Sequence, residues 1–344
     1  MTSLDVQIQC SIHEIEPAIW DRLSAGRGFQ SRRWYAFGER AMADCPPAYL
    51  IARQDGNPIA AAALFQIKNE PLPIPKAARS ALEAYFRRKP MLVCRSPLAD
   101  TSGLLLPETP ARAHALTALA NAARREIENQ RGSFLLFDFL PASDLTSWTP
   151  GFIPITVSDP GTSMMPTHES FEAYLAADKK TRNDYHHTIR KAEENGLRLT
   201  RHTHVDDIDA ALELIRRVAG KHNSPPNPWM RGLLVNLAMI DATWFEVRKE
   251  SELVGCIVTL RDNGVQSATA LGVAEVPFAY FMLIYAAIKE AFDRKVKQFR
   301  LGSGAYDVKR RLGFQREDAN HAMVAASGSL PRLLTWFASG MKAS

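Results

Sequence analysis

Two stretches far apart in the chain share one pattern without a gap, and nothing else in the sequence restricts the fold as much. Residues 49–65 read YLIARQDGNPIAAAALF and residues 244–260 read WFEVRKESELVGCIVTL. Each is a strand, a polar turn and a buried strand. In each half a long helical pattern then feeds a short apolar strand, residues 111–130 leading to Phe134 and residues 278–294 leading to Phe299. Few residues are identical, so the repeat is one of pattern. Two tandem mixed α/β domains, 1–150 and 151–344, are its simplest account, and a chance likeness of two hairpins is the competing one.

The rest of the chain fills in that frame. Helical periodicity predicts helices over 14–23, 31–42, 79–89, 171–176, 179–195, 208–221, 229–240 and 333–341. Alternating or continuous apolar runs predict strands over 48–54, 59–67, 134–140, 197–200, 243–249, 253–261, 265–273 and 322–326. Pro71, Pro73 and Pro75 read as a linker, because proline cannot enter a helix interior or a central strand. With 344 residues, 46% of them hydrophobic, the chain can bury a large core. Cys10, Cys45, Cys94 and Cys256 form no C-x-x-C pair and read as thiols of a reducing compartment. The first ten residues are polar and mixed, unlike a signal peptide, and the apolar run 59–67 is too short to span a bilayer. The expectation is a cytoplasmic protein.

The net charge is only +5, but the cations cluster. Between Arg294 and Arg311 stand seven Lys or Arg and one acid, Asp307. Phe299 and Leu301 form a strand end, Gly302, Ser303 and Gly304 a small-residue turn, and residues 307–312 a short cationic helix stopped by Gly313. Ligands commonly sit at such strand ends in open α/β sheets. Lys309, just past the turn, is placed to hold a phosphate or to stabilise an oxyanion as an acyl carbonyl is attacked. Tyr306 is a candidate proton relay. Asp307 has three readings: a proton acceptor, a cap, or an ion pair to a neighbouring arginine. Ser303 and Arg310 are candidate substrate contacts, and Trp229 and Tyr280 candidate pocket lining.

A second basic element is the helix starting at Lys179. Lys179, Arg182, His186 and Arg190 recur three and four apart, so they share a face, with Lys180 beside them. Such a row suits phosphate oxygens, although a merely solvated face fits it equally. His186, His187, His202 and His204 lack any recurring ligand spacing, and adjacent helix residues diverge by about 100°, so no metal site is expected. No P-loop, dinucleotide fingerprint or G-x-S-x-G elbow occurs.

Lys179-Lys180-x-Arg182 entering a helix, then Phe299-x-Leu301-Gly302-x-Gly304, then Lys309-x-x-Leu312-Gly313-Phe314, together resemble the Fem-like branch of the GNAT superfamily. The resemblance implies two GNAT folds in tandem and formation of an amide bond. It implies an activated acyl group passing to an amine, with aminoacyl-tRNA as co-substrate, no bound cofactor, and a small metabolite or precursor as acceptor. It also implies that Lys309 steadies the transition state while Lys179, Lys180 and Arg182 face phosphates. One departure bears on the donor. GNAT domains that bind coenzyme A carry a glycine-rich turn before a helix, whose N–H groups grip the pyrophosphate. The matching stretch here, residues 272–279, has Glu275 and Pro277 instead of those glycines. Acyl-coenzyme A remains the alternative donor, and a non-catalytic RNA-binding protein the alternative of another class.

Overall fold

The computed structural model describes residues 4–70, 76–145, 148, 150–157, 159–222 and 224–328. The proline linker around Pro73 and the helix expected over 333–341 lie outside the described residues. The chain divides into two units, Met1–Ser158 with Asp318–Ser344, and Asp159–Glu317.

The first unit holds β1 (Leu4–Gln9), α1 (Pro17–Ser24), α2 (Arg32–Ala41), β2 (Pro47–Gln54), β3 (Asn57–Ile67) and α3 (Lys76–Arg88). It continues with β4 (Met91–Cys94), β5 (Leu104–Leu105), α4 (Arg112–Asn129), β6 (Phe134–Leu140) and β7 (Ile153–Val157). The second unit holds β8 (Thr162–Met164), α5 (Phe171–Ala177), α6 (Lys179–Glu194), β9 (Leu197–His202), α7 (Ile208–Lys221) and α8 (Met230–Val235). It continues with β10 (Asp241–Lys249), β11 (Glu252–Asp262), β12 (Val265–Val273), α9 (Ala279–Asp293), β13 (Gln298–Leu301), α10 (Tyr306–Arg311) and β14 (Gln315–Arg316). A last strand, β15 (Asn320–Ala326), belongs to the first unit.

The sheets are mixed, ordered β1-β2-β3-β4-β6-β15-β7 with β5 on β3, and β14-β8-β13-β12-β11-β10-β9. The repeat read from sequence is structural to the residue. Tyr49 faces Ala63 and Trp244 faces Val258, and the register slips after Ala52 and after Val247, equivalent places in the two hairpins. Even the turn contacts repeat: Arg53 Nη1 donates to Gly56 O at 2.9 Å and Arg248 Nη1 to Ser251 O at 2.7 Å. Each unit then has one parallel strand pair joined by a helix, β4–α4–β6 and β12–α9–β13.

Two expectations change. The chain beyond Asp318, expected in the second half, returns to the first sheet, where β15 lies antiparallel between β6 and β7 and satisfies both. A short apolar strand carries no mark of which sheet needs it. The single helix expected over 229–240 is α8 followed by a 3-10 turn, Leu237–Met239.

Helix caps follow the sequence. Asp178 accepts from the Thr181 N–H at 2.8 Å at the start of α6, and Asp207 from the Ala210 N–H at 2.9 Å at the start of α7. In the second sheet, α9 packs on one face and α7 on the other. Gly255 faces α9, where an added Cβ would stand 3.1 Å from Leu283. Gly272 faces α7 so closely that a Cβ would stand 2.7 Å from Leu214, which is why no side chain is tolerated there.

Candidate active site

β12 and β13 run parallel from Val265↔Gln298 to Ala268↔Leu301 and are not paired beyond that point. β12 continues to Val273 and turns into α9, whereas β13 ends in the exposed turn Gly302-Ser303-Gly304. Gly304 at φ 81° and Ala305 at φ 48° reverse the chain into α10. The far end of α10 is anchored. Gly313 at φ 88° stops the helix, and Leu312 and Phe314 enter the core. Their burial stabilises this end by about 2 kcal/mol per side chain. The Phe314 ring meets Phe299 edge-on at 5.3 Å, and Tyr174 Oη donates to Leu312 O at 3.0 Å.

That anchoring turns Lys309 inward. It is only 7% exposed, and its amine donates to Gly302 O and, at 3.1 Å, to Ser303 O. Burial lowers its pKa from the ordinary lysine value to about 8, and no carboxylate lies within ion-pair distance among the described residues. An ammonium has three N–H donors; two are taken, so one remains for an oxygen on a ligand.

The other expected site residues fall into three groups. Ser303 supplies its backbone carbonyl to Lys309 and its side chain is exposed. Tyr306 is half-buried; its phenol donates to Pro160 O at 2.8 Å and Arg316 lies over its ring at 4.6 Å. Asp307 and Arg310 pair with each other at 2.9 Å in the open. On α6, Lys179 and Lys180 are exposed, Arg182 is half-buried, and Arg190 lies 3.8 Å from Glu194. α6 packs along α9, with Tyr185 edge-on to Tyr285 at 5.1 Å. Tyr280 is half-buried at the start of α9, and burial raises its pKa. Trp229, buried at the start of α8, belongs with α7, and its indole Nε1 has no hydrogen-bond partner among the described residues.

Part of the backbone donor set of the turn from β12 into α9 is already used. The Ala274 N–H bonds to Val254 O at 2.9 Å and the Val276 N–H to Ala274 O at 2.7 Å, while Pro277 has none. Glu275 is exposed and paired with Lys221 at 2.7 Å, which together with the resulting charge attraction lowers its pKa.

Sequence reading missed two polar clusters. Arg95 bridges Glu70 and Asp138 in the first unit, at 2.9 and 2.8 Å. In the second, Arg261 meets Glu290 at 2.8 Å beneath α9, with Thr243 and Thr259 completing the network. Glu290 inside the apolar run of α9 was the available signal. No cluster of three or more His, Cys, Asp or Glu able to hold a metal occurs among the described residues, and none of their helices is long and apolar enough to cross a membrane.

The family model described as acetyltransferase (GNAT) domain matches residues 179–310, from the first residue of α6 into α10. Residues 179–310 are a GNAT acyltransferase domain. No curated protein matches the chain in sequence. Among solved structures, the chain is similar to a tandem GNAT protein from the clavulanic acid biosynthesis pathway, solved without AcCoA. The TM-score is 0.58 at 14% identity, over 95% of this chain and 99% of that one. It is also similar to FemX, with a TM-score of 0.57 at 10% identity, over 92% of this chain and 96% of that one. At such identities the likeness concerns fold, and the fold is two GNAT-like domains in tandem. The GNAT domain makes the chain an acyltransferase, and the non-catalytic alternative gives way to it.

Proposed function

We propose that the chain transfers an aminoacyl group from aminoacyl-tRNA to the amine of a small metabolite or precursor, at the parted strands β12 and β13. The observation that carries the donor assignment is the turn before α9. Its N–H groups at Ala274 and Val276 are spent within the protein and Pro277 has none, so a pyrophosphate finds fewer backbone donors than in a glycine-rich turn and is left with those at the start of α9, such as Tyr280 and Phe281. Exposed cations along α6 suit a longer polyanion.

The acceptor nitrogen attacks the ester carbonyl directly. The new C–N bond forms, the ester C–O bond breaks, and the proton lost by nitrogen ends on the departing ribose oxygen. Lys309 in its charged form offers its third N–H to the oxyanion of the tetrahedral intermediate, in a site where burial strengthens that bond. Tyr306, held by Pro160 O, is the nearest phenol in sequence to carry the proton.

The test is mass spectrometry of reactions given a charged tRNA pool and a panel of amines. An acceptor heavier by one aminoacyl residue is expected; product only with acyl-coenzyme A would overturn the donor assignment. That second reading is favoured by the match to an acetyltransferase domain.

A further inference from the structure

At the start of α9 several aromatic side chains gather beside the basic helix. Phe278 sits at φ 72°, a left-handed conformation that a residue of this bulk rarely adopts and that glycine would take freely. In that conformation its ring meets His187 of α6, with centroids 5.9 Å apart and planes at 71°. Tyr280 and Phe281 pack edge-on at 5.1 Å. Phe281 is 37% exposed, whereas the next four residues of α9 are buried.

The surrounding charge is positive. Lys180, Asn183, His187 and Arg190 follow one stripe of α6, three and four residues apart, and His187 joins that stripe to the Phe278 ring. Lys179, Lys180 and Arg182 have no carboxylate within ion-pair distance among the described residues. Of the acids on and beside α6, Glu275 is occupied by Lys221, Glu194 by Lys191 and Arg190, and Asp178 by the Thr181 N–H and hydroxyl, while Asp184 and Glu193 are exposed, so the cations outnumber the open carboxylates. An exposed ring beside cations that no carboxylate holds supplies the two parts of a single-strand nucleic acid site: a base stacks on the ring and phosphates meet the cations.

We propose that Phe281, with Phe278, Tyr280 and His187 behind it and the α6 cations alongside, is a stacking platform for the unpaired 3′ end of an RNA. The RNA's identity as the acyl donor rests on the function proposed above; the platform itself rests on the rings and charges. It explains why an aromatic residue occupies a strained position that glycine would fill without cost. It also leads a 3′-terminal base to the β12–α9 turn, next to the strand pair whose other member, β13, runs into the turn that Lys309 holds.

The test uses the full chain and a short, 5′-labelled RNA oligonucleotide ending in CCA, read by fluorescence anisotropy. Phe281→Ala is expected to weaken binding about tenfold, within the range for loss of one stacked base, with the salt dependence unchanged. Lys180→Ala is expected to flatten the slope of log affinity against log salt by about 0.7. Phe281→Trp is expected to keep affinity and to lose indole fluorescence as RNA is added; thermal melts report that each variant is folded. RNA binding that is absent in the wild type, or equal in Phe281→Ala and wild type, overturns the platform. So does a tenfold loss seen for coenzyme A and not for the oligonucleotide. If Phe281→Ala binds RNA normally while transfer from charged tRNA proceeds, the platform fails and the donor assignment stands. If the platform binds RNA but only acyl-coenzyme A yields product, the donor assignment fails and the platform stands.

Discussion

The two units part their parallel strands in opposite ways. In the first, the last paired residues are Cys94 and Phe137, and the next on each strand, Arg95 and Asp138, form an ion pair that ties the strands across the gap. Glu70 holds the same guanidinium from another direction. Burial alone would weaken the hold of Arg95 on its proton, but Glu70 and Asp138 outweigh it and its pKa is raised. In the second, the last paired residues are Ala268 and Leu301, and the next, Thr269 and Gly302, make no such tie. The cation at that end is Lys309, buried without a carboxylate partner, its pKa lowered to about 8. One sheet design thus carries two electrostatic outcomes. Where charge is cancelled the fork is a structural joint; where a desolvated amine keeps a spare donor it can serve a reaction that builds negative charge.

Arg95→Met breaks the comparison with the largest expected effect. It strands two largely buried carboxylates, and losing one member of such a cluster costs about 3 kcal/mol. Chemical denaturation should show the loss, while the transfer rate per folded molecule stays near wild type. A collapse of that rate with stability intact would move the chemistry to the first fork.

The pH profile sharpens the contrast next. Folded Lys309 releases its proton near pH 8, below the ordinary lysine value of 10.5. If its charged form meets the oxyanion, the transfer rate should fall up to tenfold per pH unit above about 8. Lys309→Arg, which stays charged, should move that limb upward. Stability shifts in the other direction. Below pH 8 the folded state bears a buried charge, and that penalty fades as pH climbs from about 8 to 10.5, because the unfolded chain binds the extra proton. A rate that rises through pH 8 would instead make the neutral amine the working form.

Asp307→Asn has the smallest expected effect. Its carboxylate is open to solvent and paired with Arg310, so the change should alter steady-state turnover less than about twofold. A hundredfold loss would favour the proton-acceptor reading.

Much of this was legible in the chain where the signal is local. The two hairpins could be matched because strand period and turn position are written in neighbouring residues, and the structure keeps their register, slip and turn contacts. β1 was missed: Leu4, Val6 and Ile8 alternate, but the polar residues between them made the segment read as mixed. Lys309 stood out as the cation after a glycine turn. Its burial did not, because that depends on Leu312 and Phe314 entering a core assembled from distant helices. The Glu70–Arg95–Asp138 cluster and the destination of β15 were hidden for the same reason: each partner is chosen by the fold, across long stretches of sequence.

Single-turnover transfer from purified aminoacyl-tRNA to an accepted amine, wild type against Lys309→Met, tests the central claim most directly. Methionine fills a similar volume without the charge, so a folded variant with the same donor affinity is expected to react at least about a hundredfold more slowly. Equal rates, or a loss that only follows unfolding, would contradict the account.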